Sequence, residues 1–197
     1  MGLVFSFAGD GFSVKSFILA GGKSLRFGSD KALAKIKGVS MIERTARLLR
    51  ECDLEPVVIT RRGRNYDVAG CPMIYDQWPD LGPLGGIYSA MTLFKETQKF
   101  IFLSCDMPHL RSELVLRLIQ KFEEADLAAF FSAGSEEVEP FPGIYRREVL
   151  DFVRTNIQRE KLSVRSLIHS LPRVRKLRWE GDVACFENMN FSKNLTA

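Results

Sequence analysis

The 197-residue chain is 46% hydrophobic and 26% charged, the balance of a soluble globular protein rather than a disordered or fibrous one. Its 28 Lys and Arg against 24 Asp and Glu leave a mild net charge of +4, and no apolar run approaches the roughly 20 residues of a bilayer-spanning helix. These values argue against a membrane protein and a strongly basic nucleic-acid binder, and they suit one domain over residues 1–197.

The opening stretch, MGLVFSFAGDGF, has no basic leader, and Gly9, Asp10 and Gly11 interrupt its apolar residues. A secretory signal is therefore not expected, and a cytoplasmic protein is. From Ser13 to Ala20, SVKSFILA reads as a buried strand running into a glycine loop. Ser40 with Glu43 three residues on forms a capping box, and Ile42, Thr45, Ala46 and Leu49 follow at helical spacing. EPVVIT at 55–60 and CPMIYD at 71–76 read as the next strands, and a helix is expected from about Leu84 to Thr97.

KFIFLSCD at 99–106 is a further apolar strand, Leu110, Leu114, Leu118, Ile119 and Phe122 mark a helix face, and DLAAFFSA at 126–133 is another strand. Beyond residue 135 come a strand running into a helix, a helix near 163–170 and a strand near 173–178. This alternation predicts a single-domain open α/β sheet, mostly parallel and flanked by helices on both faces. Ligands of such sheets bind beyond the carboxyl ends of the strands.

Cys52, Cys71, Cys105 and Cys185 are widely spaced and form no Cys-x-x-Cys pair, and only His109 and His169 supply imidazole. Buried thiols are expected, not a zinc site or a disulfide framework. The densest basic stretch, from Arg154 to Arg178, lacks the regular aromatic interleaving of a nucleic-acid platform. It reads as solvated helix and strand faces, with part of it able to meet an anionic small molecule.

The segment FILAGGKSLRFGSDKAL, residues 17–33, contains Gly-Gly-Lys-Ser. A Walker A loop needs a glycine five positions before its Gly-Lys, and Phe17 stands there, so a P-loop is excluded. What remains is a loop with Gly21, Gly22 and Gly28, a hydroxyl at Ser24, and charges at Arg26, Asp30 and Lys31. Glycines let backbone amides approach a polyphosphate while Arg and Lys neutralise it. A glycine-rich βα turn with solvated charges is the plainer alternative.

Asp106 follows the apolar Phe100–Leu103 at the ligand edge, where a single carboxylate suits magnesium or, alternatively, caps the next helix; Ser112 is the better cap by type. Asp76 either meets a ligand or caps a turn with Pro79 and Gly82. Asn188 and Asn190 have a common turn composition as well as two amides fit to position a phosphate.

Leu19-Ala20-Gly21-Gly22-x-Ser24-x-Arg26-x-Gly28-x-Asp30-Lys31 resembles the signature loop of the sugar-nucleotide-type nucleotidyltransferases, and especially of the molybdenum cofactor guanylyltransferases. GPLGGIYSAM at 82–91, SCDMPHL at 104–110, EPFPGIYRREVL at 139–150 and Asn188-Met189-Asn190 extend the resemblance over nearly the whole chain. It departs at Thr60-Arg61, where the family often has asparagine, at Phe191-Ser192, and in residues 1–14, an extension outside the family pattern.

The resemblance implies transfer of GMP from GTP to molybdopterin with release of pyrophosphate. It implies GTP binding by Leu19, Ala20, Gly21, Gly22, Lys31, Asp76, Gly82 and Asp106, and catalysis by Arg26, Lys31 and Asp106. Asp106 would hold Mg2+, and Asn188 and Asn190 would bind the acceptor. GTP and molybdopterin are then the small-molecule partners of a monomer, with transient contacts to other molybdenum-cofactor proteins and none to nucleic acid or membrane. A related nucleotidyltransferase using CTP or another phosphorylated acceptor, and a non-catalytic nucleotide sensor of the same fold, are the competing expectations.

Overall fold

The computed structural model describes residues 14–21, 30–123, 125–132 and 137–189. Seven strands form the main sheet: β1 (Val14–Leu19), β4 (Pro56–Thr60), β5 (Met73–Tyr75), β6 (Lys99–Ser104), β7 (Leu127–Ser132), β8 (Glu139–Arg146) and β9 (Val174–Trp179). The order is β5-β4-β1-β6-β8-β7-β9, and a small antiparallel hairpin, β2 (Lys35–Ile36) with β3 (Val39–Ser40), stands apart.

Alternate residues of the apolar strands enter two cores, one on each sheet face. Ile18, Val58, Ile101, Leu103, Ala128 and Phe130 pack with Ile42, Ala46 and Leu49 of α1 (Met41–Arg50) and Leu114, Val115 and Leu118 of α3 (Ser112–Lys121). Phe17, Val57, Ile59, Phe100, Phe102, Leu127 and Ala129 face α2 (Pro83–Leu93), α4 (Val149–Gln158) and α5 (Val164–Ser170). Burial on both faces explains why these strands read as continuous apolar runs, with no alternation of polar residues.

β1 pairs in parallel with both β4 and β6, so the chain runs from β1 outward through β4 and β5 and returns to the other side of β1. That reversal opens a crevice at the carboxyl ends of β1 and β6. β8 is antiparallel to both of its neighbours. Only residues 133–138 separate β7 from β8, too few for the dozen or so residues of a crossover that would keep the strands parallel.

Two local expectations are corrected. The helix foreseen to reach Thr97 stops at Leu93, because the Arg147 guanidinium takes the carbonyls of Met91 (3.0 Å), Phe94 and Thr97 (2.6 Å). A charged donor from another element thus satisfies carbonyls at the helix end. The N-cap of α3 is Arg111, with no side-chain cap bond, and Ser112 is already inside the helix. For α1 the expected cap is present, with Glu43 N donating to Ser40 Oγ at 3.4 Å.

Cys52, Cys105 and Cys185 are buried free thiols, while Cys71 is half-buried, within 3.0 Å of the Arg50 guanidinium. Among the described residues no helix is long and apolar enough to cross a membrane.

Candidate active site

The crevice is a cleft of about 360 Å³. One wall comes from the parallel half of the sheet: Leu19 and Gly21 after β1, Ile59 in β4, Asp76 after β5, and Gly82 and Gly86 at the start of α2. Ser104, the last residue of β6, and Asp106 just beyond it lie at its base. The opposite wall carries Glu139, Pro140 and Phe141 of β8, Arg165 of α5, and Asn188.

Lys31 and Asp106 meet here, with Nζ 3.7 Å from Oδ2 and both side chains partly exposed. Their approach begins with Asp30, whose carboxylate accepts from Ala32 N (3.0 Å) and caps the short 3-10 turn Lys31–Leu33. Arg64 donates to Asp30 Oδ2 at 3.0 Å. The Tyr66 hydroxyl lies 2.7 Å from that same oxygen and 3.1 Å from Ala20 O, so it can donate to either. Burial, and then the bond to Asp30, push the Tyr66 phenol up to about 12, so it remains a neutral donor. With Asp30 fixed by three partners, Lys31 is directed at the end of β6 and not at solvent.

Asp106 is held from two sides. Ser104 Oγ donates to Oδ1 at 2.5 Å, and the Asp106 carbonyl accepts from Met189 N at 2.7 Å. The second bond ties the segment carrying Asn188, whose side chain is exposed in the cleft, to the loop carrying the carboxylate. Oδ2 is left facing Lys31. Asp106 stands just beyond β6, which ends at Ser104, and it caps no helix.

Asp76 serves its own loop as well as the cleft. It is buried, and Oδ1 accepts from Trp78 N (2.8 Å) and Ser89 Oγ (2.9 Å). Burial raises its pKa above the usual carboxylate value, against the pull of those two donors. The turn-cap reading of the sequence is therefore correct for Oδ1, while the residue also lines the cleft. Gly82 has φ +60°, which a side chain would strain, and Pro83 opens α2 directly behind it.

Arg61 is a contributor that sequence reasoning missed. Its Nε donates to Gly21 O (2.8 Å) and a terminal nitrogen to Pro79 O (2.6 Å), so one planar guanidinium staples the glycine loop to the β5–α2 loop. Thr60 beside it is fully buried and lies outside the cleft lining, so its side chain cannot contact a ligand there. These two positions thus supply an internal brace and a buried hydroxyl. The brace's only sequence signal was an arginine immediately after a buried strand.

Leu19, Ala20, Gly21, Lys31, Asp76, Gly82, Asp106 and Asn188 are thus all at this end of the sheet. Gly22, Arg26 and Asn190, and the extension up to residue 13, lie outside the described residues. Among the described residues no three His, Cys, Asp or Glu side chains cluster as metal ligands. The Asp106 carboxylate in an open cleft nevertheless fits magnesium, which takes one or two protein carboxylates and completes its shell with water and substrate phosphate.

A cleft at the ends of parallel strands, lined by a carboxylate that a lysine approaches to 3.7 Å, has the features of a nucleotide-phosphate site. Residues 16–174 match the family described as MobA-like NTP transferase domain. A Flavobacterium johnsoniae protein named "Probable molybdenum cofactor guanylyltransferase" is 33% identical over 161 residues, covering 81% of this chain and 83% of its own. The Serratia proteamaculans protein named "Molybdenum cofactor guanylyltransferase" is 28% identical, covering 90% of this chain and 89% of its own.

Among solved structures, molybdopterin-guanine dinucleotide biosynthesis protein A from Archaeoglobus fulgidus superposes with a TM-score of 0.71. It is 19% identical and covers 89% of this chain and 92% of its own, a likeness of fold. The chain belongs to the MobA-like NTP transferase family, and is thereby an enzyme of the nucleotidyltransferase class.

Proposed function

We propose that the protein transfers GMP from GTP to the terminal phosphate of molybdopterin, releasing pyrophosphate and forming molybdopterin guanine dinucleotide. The observation that carries this reading is the 3.7 Å approach of Lys31 to Asp106 at the carboxyl edge of β1 and β6. A cation for the phosphates thus stands beside a cleft-lining carboxylate for their counter-ion. The names of the relatives supply the donor and the acceptor class.

In the reaction an ionised oxygen of the acceptor phosphate attacks the α-phosphorus of GTP. The new P–O bond forms as the bond to the bridging oxygen breaks, and pyrophosphate departs with that electron pair. The nucleophile is already ionised at neutral pH, so no general base is required. The chain's work is positioning and electrostatic stabilisation. Leu19, Ala20, Gly21, Gly22, Asp76 and Gly82 hold the nucleotide, while Lys31 and Arg26 neutralise the phosphates. Asn188 and Asn190 orient the acceptor. Asp106 is the residue that would hold Mg2+, which supplies further charge neutralisation when bound.

Pyrophosphate release from GTP, CTP and ATP, with magnesium and with or without molybdopterin, tests the proposal. Release requiring both GTP and molybdopterin is expected. Release from CTP instead would keep the reaction class and overturn the donor.

Lys31→Ala should weaken GTP binding by about tenfold or more, the scale of a lost charge-assisted contact, and barely change binding of guanosine. Calorimetric titration with both ligands checks this; equal losses would show that Lys31 does not touch phosphate.

A further inference from the structure

The cleft has one wall with assigned ligands and one largely without. On the second wall, Arg165 is the one cationic side chain among the described residues that line the cleft. It projects from α5 beside Glu139, Pro140 and Phe141 of β8, on the wall that also carries Asn188, and it shares the cleft with Asp106. Resting on the proposed function above, we infer that Arg165 is an acceptor-binding residue: its guanidinium receives the acceptor's terminal phosphate, and Pro140 and Phe141 offer the apolar surface beside it.

The present partners of Arg165 suit that task. It pairs closely with Glu137 and reaches Glu139 Oε2 at 3.9 Å, and the Arg165 side chain is 47% exposed. Exposed ion pairs contribute little to stability, because water and salt compete for both partners. A phosphate dianion offers three oxygens to the planar fork and can displace a carboxylate at small cost. The two glutamates aim the guanidinium while the cleft is without acceptor. Burial raises the pKa of Glu139 above the ordinary carboxylate value.

Chain topology separates this residue from the nucleotide. Lys31 and the loops after β1, β4, β5 and β6 all lie within residues 14–106, whereas Arg165 belongs to the later half that adds β8 and α5. Substitution at Arg165 should therefore act on one substrate and leave the other.

The test is steady-state pyrophosphate release by wild type, Arg165→Ala and Arg165→Lys, varying molybdopterin at saturating GTP and GTP at saturating molybdopterin, with a thermal melt of each variant. For Arg165→Ala the KM for molybdopterin should rise about tenfold or more while the KM for GTP stays within about twofold. Arg165→Lys, which keeps the charge and loses the fork, should recover part of the loss, and melting temperatures should match. An unchanged molybdopterin KM in the alanine variant, with the wild type active, would overturn the assignment of Arg165 alone. Equal losses for both substrates with a lowered melting temperature would make Arg165 structural. A wild type that turns over no GTP with molybdopterin would remove the functional reading, and this inference with it.

Discussion

Asp106→Ala should reduce nucleotidyl transfer on the order of 10³-fold or more, the scale on which preorganised charge at a transition state acts, while weak, metal-independent GTP binding survives. The carboxylate is placed by Ser104 at 2.5 Å and faces Lys31 at 3.7 Å, and no described residue nearby supplies a second acid cluster to replace it. Stability should barely change, because the pair is partly exposed and such pairs are worth little. The experiment combines single-turnover kinetics with a magnesium titration and a GTP-binding isotherm. Undiminished activity in the variant would remove the metal assignment; a misfolded variant would refute the view that this side chain serves the site and not the fold.

Gly85→Ala should be the more damaging of two adjacent substitutions for the fold. A Cβ at Gly85 would stand 2.2 Å from the Trp78 carbonyl oxygen and 3.1 Å from Asp76 Oδ2. The first of these is backbone and cannot swing aside. Alanine's gain in helix propensity, about 1 kcal/mol over glycine, is outweighed by overpacking, so a net loss of about 2 kcal/mol is expected. A Cβ at Gly86 would meet Leu19 Cδ2 at 2.6 Å, the far end of a flexible side chain, and Gly86→Ala should cost the fold much less. Because Leu19 lines the cleft, the Gly86 variant should show its effect in the KM for GTP. Urea unfolding of both variants decides the order; equal midpoints would show that the α2 start is free to move away from the Trp78 carbonyl.

These contrasts bear on what the sequence could disclose. β1 and β6 were legible because doubly buried strands read as uninterrupted apolar runs, and α1 because its cap and its apolar face lie within one short window. Lys31 and Asp106 were legible as residue types in motif positions, although their separation of 3.7 Å was not. Arg61, Arg64 and Tyr66 were hidden for a different reason. Their partners, Gly21 and Pro79 for Arg61 and Asp30 for the other two, lie 18 to 40 positions away, and no local pattern encodes such a contact. The early end of α2 was hidden likewise, since the arginine that takes its last carbonyls comes from beyond β8. The reversal of β8 was in principle readable from the short connection before it, a clue that the alternation of strands and helices obscured.

The hydrogen bond from Met189 N to the Asp106 carbonyl joins two segments made far apart in synthesis. Every described residue assigned to the nucleotide has left the ribosome once β6 and its following loop have emerged, whereas the strap bearing Asn188 comes more than 80 positions later. The donor-side residues thus leave the ribosome before the acceptor side does. Under the proposed assignments, substitutions confined to the later half should retune acceptor binding while donor binding by the earlier half is kept.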